Sequence, residues 1–159
     1  MERGTAMKVT TFKATCNDCH TQFDKPSLPS MAYGEFIAKG EKGTAFAYLS
    51  TFGNSGWDRI DQLFKKVFPK KYQSSATECF QWMIGKCLDP IDDQALSIVG
   101  APVCPNCHGS NVMAGDDIRA GELDLPEATF SKFLSLDDLA QEQMVKDLCS
   151  QWLQKTTKP

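Results

Sequence analysis

Cys16-Asn17-Asp18-Cys19-His20 and Cys104-Pro105-Asn106-Cys107-His108 are two copies of one pattern, Cys-x-x-Cys-His, separated by residues 21–103. A Cys-x-x-Cys turn converges two sulfurs from one short stretch of backbone, so each copy supplies half of a tetrahedral four-donor metal site. The same letters also read as a c-type haem attachment motif, in which both cysteines form thioethers and the histidine binds iron. A third reading leaves the four sulfurs as redox dithiols or as thiols without a ligand. The two histidines of the copies are the only histidines in the chain, which favours haem. Against haem, each iron needs a further ligand that no methionine is clearly placed to give, and covalent attachment takes place outside the cytoplasm.

The flanks favour the metal-knuckle reading. Val9-Thr10-Thr11-Phe12-Lys13-Ala14-Thr15 is rich in β-branched residues and reads as a strand ending at Cys16. Phe23 to Ser30 carries Pro26 and Pro29 and reads as an exit into a loop. Around the second copy, Leu96-Ser97-Ile98-Val99 is strand-like, Gly100-Ala101-Pro102 bends the chain, and Asn111-Val112-Met113-Ala114 reads as a short return strand. Both copies are therefore expected at the tips of β-hairpins.

With Pro102-Val103 before it and Gly109-Ser110-Asn111-Val112 after it, the second copy resembles the second knuckle of zinc-ribbon proteins. The usual form there is Cys-Pro-x-Cys-Gly-Ser, and His108 is an extra residue before the Gly-Ser. The resemblance, to rubredoxin-like double knuckles, covers roughly residues 8–24 and 98–114. It implies one structural Zn2+ carried by Cys16, Cys19, Cys104 and Cys107, and it says nothing of the residues between. Closing so long a loop costs about 4 kcal/mol of chain entropy, whereas a structural zinc site contributes roughly 10–16 kcal/mol, so the separation is no obstacle. A site closed by four thiolates has no open position, so the zinc is expected to be structural, with His20 and His108 as exposed turn residues or neighbours of the sulfurs.

The intervening segment has elements of its own. Tyr33 to Lys39 and Thr44 to Phe52 are β-prone runs joined by Gly40-Glu41-Lys42-Gly43, which predicts a hairpin. Ser55 with Asp58 opens an amphipathic stripe of Ile60, Leu63, Phe64, Val67 and Phe68, stopped by Pro69. Ser75 with Glu78 opens a second, of Phe80, Met83, Ile84, Cys87 and Leu88. Ser135 with Asp138 opens a third, of Val145, Leu148, Cys149, Trp152 and Leu153. The expected fold is α+β: a discontinuous zinc ribbon with an inserted β-hairpin plus two helices and a C-terminal helix. It is read as a single domain over 7–155, with knuckles at 8–24 and 98–114, an insertion at 31–95, a C-terminal helical segment at 127–155, and 1–6 as a tag or disordered start.

A hydrophobic content of 42%, a charged content of 23% and a net charge of −3 exclude a disordered chain and bulk electrostatic attraction to nucleic acid. No apolar run approaches the length of a membrane span, and residues 1–8 lack an apolar signal region, so a cytoplasmic protein without membrane contact is expected. Lys65, Lys66, Lys70 and Lys71, beside Tyr72, form the one local basic cluster: a solvated helix end or a phosphate-contact patch. The acidic stretch 116–127, with Gly115, Gly121 and Pro126, reads as a loop. Cys87 and Cys149 fall on apolar stripes as buried thiols, and Cys79 and Cys87 are too far apart along one helix for a disulfide. Trp82 falls off its stripe, as an exposed contact residue does. No catalytic constellation is present in the sequence. The expected role is binding of a protein partner, as an adaptor, inhibitor or immunity-type protein; the alternatives are a nucleic-acid-binding or transcription-associated zinc ribbon and a dihaem electron carrier.

Overall fold

The computed structural model describes residues 5–29 and 33–156. Most of the expected start segment 1–6, and residues 30–32 where the expected insertion begins, lie outside the described residues. The architecture is α+β, with two three-stranded antiparallel sheets. In the first, β1 (Thr5–Cys16) lies between β2 (Gln22–Ser27) and β6 (Val112–Pro126). In the second, β3 (Glu35–Gly40) lies between β4 (Phe46–Ser50) and β5 (Leu96–Ser97).

The strand expected before Cys16 forms and starts earlier, at Thr5, opposite Pro126. The expected hairpin also forms, as β3 and β4. The second copy of the motif departs from expectation. Its preceding strand, β5, is two residues long and pairs with β3 rather than with 111–114. Ser97 Oγ accepts from the Val99 N–H and donates to the Val99 carbonyl, which turns the chain locally in place of a longer strand. Pro102 and Pro105 then remove ladder donors. The strand leaving the second copy pairs instead with the strand entering the first, Cys16 opposite Val112 and Thr15 opposite Met113. That pairing sets the two motifs side by side.

The acidic stretch 116–127 is strand β6 through Pro126, not a loop. Non-local pairing overrides its poor strand composition. Lys8 on β1 lies 3.8 Å from Glu122 and 3.9 Å from Asp124, opposite charges placed across the ladder. The glycines fall where the register shifts, from Thr11 opposite Gly121 through Phe12 opposite Arg119 to Lys13 opposite Gly115.

All three expected helices form: α1 (Ser55–Val67), α2 (Ala76–Cys87) and, after a one-turn α3 (Ser131–Leu134), α4 (Asp138–Thr156). Their starts differ from the capping boxes read in the sequence. Asn54, not Ser55, caps α1, its side chain accepting from the Trp57 N–H at 3.0 Å. Ser75 makes no capping bond, because a 3-10 turn over Lys70–Ser75 runs straight into α2. Asp137 caps α4 through the Ala140 N–H at 2.8 Å, while Ser135 closes α3 by donating to the Lys132 carbonyl.

The main apolar cluster joins the helices to the second sheet. Ala38, Ala47 and Leu49 of the sheet meet Ile60, Leu63 and Phe64 of α1, Met83 and Ile84 of α2, Phe133 of α3, and Val145 and Trp152 of α4. Among the described residues, none of β1, β2 or β6 belongs to it. Asp89, following α2, is 6% exposed; its carboxylate accepts from the Thr129 hydroxyl and from the Ser131 and Lys132 N–H groups, capping α3. Burial pushes its carboxyl up, but these bonds outweigh burial and leave it below the usual value.

Candidate metal centre

Each Cys-x-x-Cys-His copy folds into the same turn. In the first, the His20 N–H donates to the Cys16 carbonyl at 2.9 Å and the Cys16 N–H to the Thr21 carbonyl at 2.9 Å. In the second, the His108 N–H donates to the Cys104 carbonyl at 2.9 Å and the Cys104 N–H to the Gly109 carbonyl at 2.8 Å. Both turns require a left-handed residue after the second cysteine, and both histidines supply it, at φ 64° and 61°. His108 is thus no insertion beside the turn. It occupies the left-handed position itself, and Gly109 follows with no positive φ.

The two turns face each other. Cys16 Sγ lies 3.5 Å from Cys107 Sγ, and Cys19 Sγ lies 3.6 Å from Cys104 Sγ. All four sulfurs lie within 4.8 Å of one another, an arrangement that can hold one metal ion. The first cysteine of each turn, Cys16 and Cys104, is fully buried; Cys19 is half-buried and Cys107 exposed. Neither histidine joins the cluster.

Polar side chains within and beside the motifs clamp the turns together. The Asn17 N–H donates to the Asn111 carbonyl at 2.8 Å, the Asn17 amide to Asn111 Oδ1 at 3.1 Å, and the Asn111 amide to Asp18 at 3.0 Å. The Asn106 amide reaches Cys19 Sγ at 3.5 Å, and the Asn106 N–H reaches Cys104 Sγ at 3.4 Å. Thr21 Oγ1 stands 3.2 Å from Cys19 Sγ. Thr21 and then Asn106 lower the Cys19 thiol to about 5, which favours the thiolate form that a metal binds. Nothing in the sequence marks these residues for a clamping role, although Asn17, Asp18 and Asn106 sit at x positions of the motif.

One further contact positions the second turn. Gly43, in the β3–β4 connection, has φ +78° and no room for a side chain: a Cβ there would stand 2.5 Å from the Val103 carbonyl oxygen and 3.1 Å from the Pro105 nitrogen. The hairpin of the second sheet therefore backs directly onto the approach to Cys104.

Two lysines of the basic cluster have acidic partners. Lys65 pairs with Asp61 at 2.8 Å, Lys66 pairs with Glu142, and Lys71 lies 5.1 Å from the Tyr72 ring centroid. Trp152 is buried; Trp57 stacks on Phe36; half-buried Trp82 carries Lys86 Nζ 5.5 Å from its ring centroid. Among the described residues, no helix is long and apolar enough to cross a membrane. Comparison with protein families, with curated proteins and with solved structures finds no match. The class defined by fold and site is an α+β protein with a candidate four-cysteine metal centre, consistent with a zinc-ribbon-like site.

Proposed function

We propose that the protein binds one structural zinc ion through Cys16, Cys19, Cys104 and Cys107 and acts in the cytoplasm by binding a protein partner. The observation that carries the metal assignment is the sulfur spacing. Zinc–sulfur bonds of about 2.3 Å in a tetrahedron put the sulfurs about 3.8 Å apart, close to the 3.5 and 3.6 Å contacts across the two turns. Two haems would need each Cys-x-x-Cys pair free to straddle its own porphyrin, whereas here each pair is packed against the other. Four soft thiolates without a histidine or carboxylate select zinc over harder divalent ions. They also fill the coordination sphere, which favours a scaffold role over Lewis-acid chemistry.

Exposed Tyr33 and Phe52, at 84% and 64% with ring centroids 6.3 Å apart, form an apolar patch that supports partner binding. Seven free cysteines suit a reducing compartment. Metal analysis with a visible absorption spectrum tests the metal assignment: the expected result is one zinc per chain with no Soret band, and covalently bound haem in denatured protein overturns it. Nucleic acid is the rival partner. Salt-dependent nucleic-acid binding that disappears when Lys65, Lys66, Lys70 and Lys71 are neutralised would replace the protein-partner reading.

A further inference from the structure

The helices pack on one face of the second sheet, against Ala38, Ala47 and Leu49. Strand alternation turns Ile37 and Lys39 of β3 to the opposite face, with Phe46 of β4 across the ladder from Lys39. Phe23 and Lys25 of β2 come from the first sheet to meet them, and residues 100–103 close the side that leads to Cys104. Together they enclose a cavity of about 150 Å3 between the two sheets. We propose that this cavity binds a small organic monocarboxylate with a single ring or a branched aliphatic body, its carboxylate on Lys39 and Lys25 and its body on Phe23, Ile37, Phe46 and Pro102.

The cavity combines apolar walls with two cations. Phe23, Ile37, Phe46, Pro102 and Val103 are half-buried and lie outside the main apolar cluster, so they present apolar surface to the cavity rather than to the core. An apolar cavity of about this volume holds one benzene ring, which sets the size of the body. Lys25 and Lys39 are half-buried in the same walls. The Lys39 ammonium donates to the Gly100 carbonyl, a neutral acceptor that takes up one of its three N–H groups. Burial first, and then the charge of Lys25, hold this ammonium below its usual value.

These two features select a ligand that has both a charge and an apolar body. An anion between the lysines replaces their mutual repulsion with two attractions, and the two oxygens of a carboxylate accept from both ammonium groups. A charge without a body leaves the Phe23 and Phe46 rings unfilled. A body without a charge sets hydrocarbon against the ammonium groups and strips them of water. None of the four sulfurs lines the cavity, so the site can be tested whichever metal they hold.

The test titrates benzoate into the full-length, isotope-labelled protein at constant ionic strength and follows amide chemical shifts. Saturable binding at about 1 mM or tighter is expected, with the shifts concentrated on 23–26, 37–39, 46 and 100–103. Benzamide, which keeps the ring and loses the charge, should bind about tenfold more weakly or worse, and so should acetate, which keeps the charge and loses the ring. Lys39→Met keeps an unbranched stem and removes the ammonium. It should lower benzoate affinity roughly 10- to 100-fold and narrow the preference for benzoate over benzamide, with tryptophan fluorescence unchanged. Lys25→Met should narrow the same preference, and it carries the test alone if Lys39→Met does not fold. Equal binding of benzoate and benzamide overturns the proposal, because the lysines then select nothing. Acetate or inorganic phosphate binding as tightly as benzoate overturns it as well, as do benzoate shifts that fall outside the cavity. So does an unchanged preference in both lysine variants.

Discussion

The sheet of β1, β2 and β6 and the helical body are held together by different means. The helical body buries Ile60, Met83, Ile84, Phe133 and Val145 at no more than 1% exposure, in a cluster continuous with the second sheet. The first sheet buries Val9, Ala14 and Leu125, and one end of it closes on four sulfurs. By area, a buried aliphatic or aromatic side chain contributes roughly 1.5–3 kcal/mol, so the helical body has stabilisation to spare and the first sheet has little. A metal bound at the four sulfurs, as proposed above, would supply what the apolar residues there do not. The two regions should therefore respond in opposite ways to loss of the metal and loss of core volume.

The largest effect should follow metal removal. Chelation, or Cys16→Ser, withdraws a contribution of roughly 10–16 kcal/mol from the first sheet. Amide exchange should become fast along β1 and β6, while α1, α2 and α4 keep their protection. The tryptophans offer a second reading, since Trp57, Trp82 and Trp152 all lie on those helices. Their fluorescence should stay native after chelation. Equal loss of protection in both regions would break the comparison.

Phe133→Ala probes the opposite side. The ring is 1% exposed within the helical cluster, and its loss should cost about 3–5 kcal/mol in denaturant titrations followed by tryptophan fluorescence. Metal stoichiometry should remain one per chain. Between these extremes lies Gly43→Ala, which places a methyl group against the Val103 carbonyl at a backbone φ of +78°. A cost of roughly 1–3 kcal/mol is expected, together with faster metal loss to a competing chelator, because this contact joins the second sheet to the Cys104 turn. Unchanged metal release would mean that the two regions are uncoupled there.

Asp89 brings pH into the comparison. Its carboxyl lies below the ordinary value of 3.8 in the folded protein. It therefore stabilises fully above the unfolded value and loses that contribution as pH falls through the folded one. Asp89→Asn should cost about 1–3 kcal/mol at pH 7 and flatten the dependence of tryptophan-detected stability on pH below about 4. An unaltered acid slope would assign the acid sensitivity to other carboxylates.

These regions also differ in how far they can be read from sequence. The helices carry their evidence locally: Ile60, Leu63 and Phe64, or Val145, Leu148 and Trp152, recur at the helical period and are buried as that period demands. Each Cys-x-x-Cys-His spacing announces a ligand-binding turn in the same local way, but that the two turns meet at one cluster depends on the pairing of β1 with β6. What fails is whatever depends on distant partners. The strand 112–126 looks like a loop until Lys8 and the rest of β1 stand opposite it. The strand entering the second motif is cut short because its ladder partner is β3. Helix starts miss by a residue or two because Asn54 and Asp137, rather than Ser55 and Ser135, accept the free N–H groups of the first turns.

The smallest predicted effect concerns the motif itself. Glycine is the residue best suited to the left-handed position after a Cys-x-x-Cys turn, yet this chain has His20 and His108 there, at φ 64° and 61°. Their backbone strain is local, their side chains are exposed, and neither reaches the sulfur cluster. His20→Gly and His108→Gly should each relieve that strain and raise stability by about 0.5–1 kcal/mol, less the added flexibility of the unfolded chain. The gain should appear as slower exchange at the ends of β1 and β6, with tryptophan-detected unfolding unchanged. Metal content should stay at one per chain in both variants. A fall in metal affinity would make the histidine a ligand or a hydrogen-bond donor to sulfur, and would move the doubled His from a backbone role to a chemical one.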